Sequence, residues 1–378
     1  MTERHMQFAI PEVRASRTLA RYAPKIVYVL SGGAAKGFCH LGMIEALEGR
    51  GVKPDLVVGT SAGSLFGALY CHFGTVAAVS RRVEEILSSR EFASFEKKYF
   101  GAKKRVGGGV ETGLQRFLSS MQGTMKNGVQ LGRAMVTSAM IARDDAEMIF
   151  SRIFEGITRD SLAIAFASVA VDLVDGAAVT FAAGETAGAR GRVKTIAAAE
   201  GLTQAVMASS AIPFVFPAVE IDGHAHADGY IMANLPVREA RGLVAGGDAF
   251  VIGFDVSAPL AEAGEDLSAV ELALRLLSLA TRAKQEADRE LADVLLQPVD
   301  RPFPWSSFSA SRELVDMGRR YMTDQRLEDL EGAFIARCAA SARKDGHPAR
   351  RVLARRRLGR ISPRSASGRG SGPPLPSG

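Results

Sequence analysis

Two short runs of buried-strand character constrain this chain most, because a glycine-rich turn and a helical pattern follow each of them at once. The runs are residues 26–30 (IVYVL) and residues 55–58 (DLVV). Apolar, β-branched runs of this length are typical of strands buried in a parallel sheet. Since the order is strand, helix, strand, helix, the chain predicts parallel βαβ connections and an α/β fold.

The later sequence continues the same alternation. Helical patterns fill much of residues 76–160, and two strand patterns at 164–173 and 178–182 are joined by Asp175-Gly176, a hairpin signal. Residues 250–256 resemble another buried strand, residues 270–296 a helix leading into a short strand, and residues 311–340 further helix. With 47% hydrophobic residues the chain can bury a large core. We predict one domain over residues 25–340, after an N-terminal extension at 1–24.

Charge is unevenly distributed along the chain. The sequence has 47 Lys and Arg against 41 Asp and Glu, a net charge of +6, but residues 343–378 alone contain ten basic residues and one acid. This Pro/Gly/Ser-ending segment has little to bury, so we predict a disordered tail over 341–378. The body up to residue 342 is left with a net charge of −3. No nucleic-acid partner is therefore expected, while the tail either contacts anionic membrane or is simply solvated.

Cysteines and apolar segments bear on location. Cys39, Cys71 and Cys338 are too few and too scattered for a disulfide framework or a zinc cluster. Residues 1–25 carry charges throughout and contain no apolar stretch of signal-peptide length. The longest apolar run, residues 162–171, has about half the length of a bilayer crossing. We expect a cytoplasmic protein whose membrane contact, if it has one, is peripheral.

The segment Gly59-Thr60-Ser61-Ala62-Gly63 lies between the second strand and its helix. A nucleophilic serine at such a turn needs a strained backbone, and flanking glycines let strand and helix pack closely around it. The helix N-terminus also stabilises developing negative charge. Two interpretations stay open: Ser61 is a nucleophile, or the segment is an ordinary glycine-rich turn.

The other strand-to-helix turn is Ser31-Gly32-Gly33-Ala34-Ala35-Lys36-Gly37. It is not a Walker A loop, since Phe38 follows Gly37, and Ala34 breaks the dinucleotide-binding pattern. Its small residues leave backbone N–H groups free to point at an anion. The loop therefore indicates either an oxyanion hole beside Ser61 or a phosphate site without chemistry.

Residues 221–229 contain His224, His226 and Asp228-Gly229. Asp before Gly is often only a turn signal. On a strand the two histidines share one face, where they could complete a Ser-His-Asp triad or bind a metal. No ligand set at convincing spacing accompanies them, so we expect no metal. An α/β-hydrolase triad needs several strands before its nucleophile, and only 60 residues precede Ser61.

Together these segments resemble the patatin-like phospholipase family. The resemblance rests on residues 31–37, His40-Leu41-Gly42, Pro54-Asp55 and residues 59–63. It continues through residues 208–213, 216–217, 220–223, Asp228-Gly229 and residues 234–237, and it covers roughly residues 25–300. The order and the spacing of the segments agree with the family throughout this range.

The resemblance implies a three-layer α/β/α fold with a mostly parallel sheet and a helical cover. It also implies a Ser-Asp dyad without histidine or cofactor, with Ser61 as nucleophile and Asp228 as base. The backbone N–H groups of Gly32, Gly33 and Ala34 would form the oxyanion hole. Supporting motif positions are Lys36, Gly37, Gly59, Gly63 and Gly229. The implied activity is hydrolysis of carboxylic esters of phospholipids or lysophospholipids, with release of fatty acid.

Three positions depart from the family pattern: Ala34 replaces a glycine, Tyr230 a small residue and Lys36 the commoner arginine. These departures leave open a catalytically weak or inactive relative that binds lipid. Aromatic residues of the helical cover (Phe92, Phe95, Tyr99 and Phe100) are candidates for an acyl-chain entry or for ordinary core.

Overall fold

The structure is a computed structural model. It describes residues 10–16, 20–99, 105–106, 109–110, 139, 141–184, 189–196, 201–213, 215–244, 247–259, 269–303 and 310–344. Most of the predicted basic tail, together with Phe100, lies outside the described residues.

Strands and helices alternate through the first half of the described chain and again toward its end. The strands are β1 Lys25–Leu30, β2 Leu56–Thr60, β3 Arg105–Val106, β4 Gly109–Val110, β5 Ala165–Asp172, β6 Ala177–Ala183, β7 Val193–Thr195, β8 Val219–Ile221, β9 His224–Asp228, β10 Ala249–Phe254 and β11 Val294–Leu296. The helices are α1 Ile10–Ala15, α2 Phe38–Gly49, α3 Ala62–Phe73, α4 Val76–Leu87, α5 Arg90–Tyr99, α6 Arg143–Ile153, α7 Gly201–Ser209, α8 Tyr230–Ala233, α9 Val237–Leu243, α10 Ala269–Arg289, α11 Ser311–Tyr321 and α12 Asp324–Lys344. Short 3₁₀ turns cover Ala20–Tyr22, Ala34–Gly37 and Arg159–Ser161.

The central sheet has the order β11-β10-β1-β2-β5-β6-β7. Neighbouring strands from β11 to β5 are parallel, whereas β6 is antiparallel to β5 through the predicted hairpin. Strand β9 pairs antiparallel with the C-terminal part of β5 and carries β8 on its other side. The predicted α/β class with a mostly parallel sheet is confirmed.

Strands β1, β2 and β10 are buried on both faces of the sheet, which explains why they are apolar along most of their length instead of alternating with polar residues. Along β1, Ile26, Tyr28 and Leu30 enter one hydrophobic cluster, together with apolar residues of α2 and α3. The intervening Val27 and Val29 enter a second cluster with residues of α9. The sheet is therefore the middle layer of three.

Helices α2 and α11 cross at unusually short range. A Cβ at Gly42 would overlap the Val315 carbonyl oxygen, and one at Gly318 would overlap that of Cys39. Only glycine fits at this crossing, because the two backbones are in direct contact. The crossing fixes α2, and with it the turn that precedes α2, against the C-terminal helices.

The described ends of the chain pack onto the body. Ile10 and Val13 of α1 are fully buried in the main core, and Arg14 pairs with Asp55. At the other end α12 continues to Lys344, with Ala342 buried. The folded body thus includes part of the predicted extension and reaches past residue 340.

Candidate active site

Ser61 lies between the last residue of β2 and the first residue of α3. Its backbone adopts φ 54° and ψ −124°, a conformation that a residue with a side chain rarely takes and that costs about 1–3 kcal/mol. A Cβ at Gly59 would overlap the backbone of Gly63, and a Cβ at Gly63 would overlap the carbonyl of Leu30. The two glycines therefore let the sharp turn close, and the turn presents the Ser61 hydroxyl at the end of the sheet.

Asp228 reaches Ser61 because β5 aligns the strands that carry the two residues. Thr60 of β2 pairs with Val169, and Asp228 of β9 pairs with the next residue, Ala170. Strands β2 and β9 therefore meet end to end along one edge of β5. The Ser61 Oγ donates a hydrogen bond of 2.7 Å to Asp228 Oδ2.

The Asp228 carboxyl is enclosed, with 1% of the residue exposed. Burial raises its pKa to about 7, although hydrogen bonds from the Tyr230 backbone N–H and the Ser61 hydroxyl favour the charged form. A carboxyl that titrates near neutrality is a much stronger base than an ordinary aspartate. At Tyr230, where the sequence departs from the family, it is the backbone N–H that contacts Asp228, at 2.8 Å from Oδ1. This contact does not depend on the bulky side chain.

Ser209, at the end of α7, holds the Ser61 turn from behind. Its Oγ accepts a hydrogen bond of 2.9 Å from the Ser61 N–H and donates one of 2.6 Å to the Val169 carbonyl. In the sequence, the segment 208–213 is recognisable only as part of the family pattern. Nothing in its local spacing identifies Ser209 as the contact, because the two serines are 148 residues apart.

The glycine-rich turn lies directly beside Ser61. A Cβ at Gly32 would lie 3.1 Å from Ser61 Cβ and 2.7 Å from Asn234 Oδ1. The Gly32 N–H donates to the Asn234 carbonyl at 3.1 Å, so this group is already engaged. Within the described part of the chain, the N–H groups of Gly33 and Ala34 have no acceptor. Ala34 adopts φ 49°, in the left-handed region that favours glycine.

The remaining motif positions pack around these two turns. Burial lowers the pKa of Lys36 to about 8, with Arg282 adding to the shift. A Cβ at Gly37 would lie 2.6 Å from the Ala62 Cβ, and one at Gly229 would overlap the Val169 carbonyl. Gly37 therefore lets the glycine-rich turn approach the start of α3, and Gly229 lets the segment that carries Asp228 approach β5.

The two histidines of β9 do not join Ser61 in a triad. His224 Nδ1 lies 2.7 Å from Asp172 Oδ2, and the buried His226 lies 3.9 Å from the same oxygen, while the Ser61 hydroxyl is bound to Asp228. Burial opposes ionisation of Asp172, but hydrogen bonds from Asp175 N–H, His224 and Val174 N–H outweigh it and hold its pKa down at about 2.

Asp172, Asp175 and His224 each place one potential ligand atom within 4.8 Å of the others. These atoms already have partners in the structure. Asp175 pairs with Arg192, and Asp172 Oδ1 accepts two backbone N–H groups of the β5–β6 turn. The group thus stabilises a hairpin.

The described aromatic residues of the predicted cover belong to the core. Phe95 is buried and packs against Tyr99 with the two rings tilted, at 5.2 Å between ring centroids, and Phe92 packs against the same cluster. Of the two interpretations offered for these residues, the structure favours ordinary core.

Within the described residues, no single helix has both the length and the apolar composition to cross a bilayer. Helices α3 and α4 meet the length and composition criteria only as a pair, and they are bent by 118° relative to each other.

Parts of the chain are similar in sequence to known proteins. Over 83 residues the chain is 41% identical to human patatin-like phospholipase domain-containing protein 6, which covers 22% of this chain and 6% of that protein. It is also 41% identical over 73 residues to lysophospholipase NTE1 of Kluyveromyces lactis, covering 19% of this chain and 5% of that protein. The chain thus matches less than a tenth of the length of these relatives.

Human GIVD cytosolic phospholipase A2, solved with methyl γ-linolenyl fluorophosphonate, aligns with a TM-score of 0.39 and 14% identity. The alignment covers 86% of this chain and 61% of that one. The pattern of the family described as patatin-like phospholipase matches residues 28–241, which is more than half of the chain. This chain belongs to the patatin-like phospholipase family.

Proposed function

We propose that this protein is a serine lipid acyl hydrolase in which Ser61 is the nucleophile and Asp228 the base. The observation that supports this most is the buried hydrogen bond of 2.7 Å between the Ser61 hydroxyl and the Asp228 carboxyl. It occurs on a strained strand-to-helix turn, next to two backbone N–H groups that have no acceptor among the described residues. Nucleophile, base and anion donors are the three parts that acyl transfer requires.

In the first half of the reaction, Asp228 takes the Ser61 proton while Oγ attacks the ester carbonyl carbon. The carbonyl oxygen becomes an oxyanion that faces the N–H groups of Gly33 and Ala34. Donors placed in this way typically contribute about 3–4 kcal/mol each to lowering the barrier. The tetrahedral intermediate collapses, the C–O bond to the alcohol breaks, and the leaving alcohol takes the proton from Asp228.

The second half repeats these steps with water. Asp228 removes a proton from the water, the hydroxide adds to the acyl carbon, and the bond to Ser61 Oγ breaks. Oγ recovers its proton from Asp228, and the fatty acid leaves. A single carboxyl serves both halves because its pKa of about 7 lets it accept and return a proton near neutral pH.

Phospholipids and lysophospholipids are the proposed substrate class. The names of the relatives, which include a patatin-like phospholipase domain protein and a lysophospholipase, support this choice. The basic segment 343–378 would attract the enzyme to anionic lipid by up to about 1 kcal/mol for each basic residue near the surface. Peripheral membrane contact through the tail is therefore part of the proposal.

The experiment measures p-nitrophenol release from a medium-chain p-nitrophenyl ester. Ser61→Ala is expected to abolish release and Asp228→Asn to reduce it nearly as far, with both variants folded. Ser64→Ala is the matched control. Ser64 lies one helical turn after Ser61, and its hydroxyl is hydrogen-bonded to Ser168 Oγ and takes no part in the proposed chemistry. Full activity in Ser61→Ala would refute the dyad.

A catalytically inactive, lipid-binding relative is the alternative, and the strained Ala34 is the observation that favours it. Labelling with a fluorophosphonate distinguishes the two functions, since only an activated serine reacts. An active enzyme is labelled in the wild type and in Ser64→Ala but not in Ser61→Ala. Absence of labelling in the folded wild type would favour the binding protein.

A further inference from the structure

The peptide between Ser31 and Gly32 is held at both of its polar ends. Its carbonyl oxygen lies 2.9 Å from His40 Nε2, and its N–H donates to the Asn234 carbonyl at 3.1 Å. Because a carbonyl only accepts, His40 Nε2 must carry the proton in this contact. Burial lowers the pKa of His40 to about 4, so the ring is neutral and donates from this nitrogen. The orientation of this peptide sets where the next two N–H groups, of Gly33 and Ala34, point.

The carbonyls of Ala233 and Asn234 connect the two turns of the site. The hydroxyl of Thr60, the residue just before Ser61, donates a hydrogen bond of 2.7 Å to the Ala233 carbonyl. The neighbouring Asn234 carbonyl accepts from Gly32, in the oxyanion loop, defined here as residues 31–34. A displacement of Asn234 would therefore move the oxyanion loop relative to Ser61.

Asn234 is itself held by a buried chain of amides that leads to α10. Its Nδ2 donates to Gln285 Oε1 at 3.0 Å, and Gln285 Nε2 donates to Asp255 Oδ1 at 2.9 Å. The Ser257 hydroxyl lies between the two amides, within 3.3 Å of both. Asn234, Asp255 and Gln285 are each at most 3% exposed. No water is needed to connect this chain.

The direction of this chain is fixed by the charge at its far end. Arg289 forms an ion pair with Asp255 Oδ2 at 2.6 Å, and the oxygens of a carboxylate accept hydrogen bonds. Gln285 must then turn its NH₂ toward Asp255 and its oxygen toward Asn234. Asn234 must in turn present its NH₂ to Gln285, which leaves its Oδ1 facing Gly32. One ion pair thus determines the orientation of both amides.

We propose that Gln285 is a positioning residue for the oxyanion loop: it holds Asn234, whose carbonyl oxygen holds the Gly32 N–H beside Ser61. The inference rests on the proposed function, because it assigns a role in the reaction that Ser61 would carry out. Gln285 lies 51 residues from Asn234 along the chain and contacts neither Ser61 nor Asp228 in the structure. Its effect on the reaction is therefore exerted through Asn234.

The test compares an ester with the matching thionoester, whose sulfur accepts hydrogen bonds poorly. A correctly placed oxyanion hole favours the ester, so the ratio of kcat/KM for ester over thionoester reports on the loop. Gln285→Met keeps the length of the side chain and removes the amide contacts to Asn234 and Asp255. We expect kcat on the ester to fall about 10- to 100-fold, the scale of a misplacement below or near 1 Å, with KM little changed. The ester-to-thionoester ratio should fall with kcat.

Two further variants complete the design. Gln285→Glu has the same shape and keeps an oxygen toward Asn234, but it places a second oxygen against Asp255. If Gln285→Met does not fold, Gln285→Glu replaces it in the same assay. Tyr28→Phe is the control for loss of a buried hydrogen bond, since Tyr28 donates to Val52, outside the amide chain and the oxyanion loop. It should lower the melting temperature without changing the ratio.

An unchanged ester-to-thionoester ratio in a folded Gln285 variant would overturn the inference, whether both rates stay the same or fall equally. Either result leaves the proposed function intact as long as activity still depends on Ser61. If the wild type has no Ser61-dependent activity, the proposed function itself fails, and the two failures are thus told apart.

Discussion

Replacing Asp228 by asparagine should stabilise the folded protein at neutral and alkaline pH while it removes activity. Burial raises the pKa of this carboxyl to about 7, so the folded chain binds a proton that the unfolded chain has already lost. Below the ordinary aspartate pKa the group is neutral in both states and costs nothing. As the pH rises toward 7, the unfolded state ionises first, and the stability of the wild type declines. Above pH 7 the free-energy cost of burying the ionised Asp228 carboxylate no longer changes with pH.

The magnitude follows from the shift. A rise in pKa from the ordinary aspartate value of 3.8 to about 7 corresponds to a penalty of about 4 kcal/mol at pH 8 and about 1–2 kcal/mol at pH 5. Asparagine avoids this penalty and keeps both contacts, because its Oδ1 accepts from the Tyr230 N–H and its NH₂ donates to Ser61 Oγ. The free energy of unfolding of Asp228→Asn should therefore exceed that of the wild type, by a margin that grows from pH 5 to pH 8.

Urea unfolding of both proteins at pH 5 and pH 8 measures this margin. Asp172→Asn is a control of opposite sign: the pKa of this nearby carboxyl is held at about 2, so its loss should destabilise the protein above pH 4. For the active wild type, kcat/KM should rise with pH to a plateau with a midpoint near 7. An Asp228→Asn protein no more stable than the wild type at pH 8 would refute the argument, as would an activity midpoint near 4.

Three other predictions concern packing and charge. Gly63→Ala should lower the free energy of unfolding by about 1–3 kcal/mol and remove most of the activity, because its methyl group would overlap the backbone of Leu30. Urea unfolding measures the first effect and ester hydrolysis the second, and near-wild-type values would contradict the turn geometry. Gly42→Ala should lower the melting temperature at the α2–α11 crossing, whereas Gly49→Ala, in the same helix with nothing within 4 Å, should leave it unchanged or raise it. Removal of residues 345–378 should weaken flotation with anionic vesicles at low salt and leave hydrolysis of a soluble ester unchanged. If the shortened protein floats with the vesicles as well as the full chain does, the tail is excluded as a membrane anchor.

Local sequence was sufficient for the elements that present Ser61. The helical pattern that follows the second strand run is observed as Ala62–Phe73, and the strand-to-helix turns around residues 31–37 and 59–63 are observed where the pattern placed them. These features are readable because glycine position, apolar runs and helical spacing act over neighbouring residues. Fold class follows for the same reason, since repeated strand–helix units can close only as a layered sheet.

The family resemblance implies that Ser61 and Asp228 act together, but the geometry of contacts between distant segments follows from tertiary structure. Ser61 meets Asp228 across 167 residues because β9 runs antiparallel beside the end of β5, a register that no local period encodes. For the same reason the sequence could not show that Asn234 occupies the Gly32 N–H, or that Gln285 supports Asn234. The sequence located the Ser61 turn and the glycine-rich turn, because backbone geometry is a local property. The burial that raises the pKa of Asp228 exists only once the three layers have packed. The same holds for the placement of the Gly33 and Ala34 N–H groups, which have no acceptor in the described part of the chain.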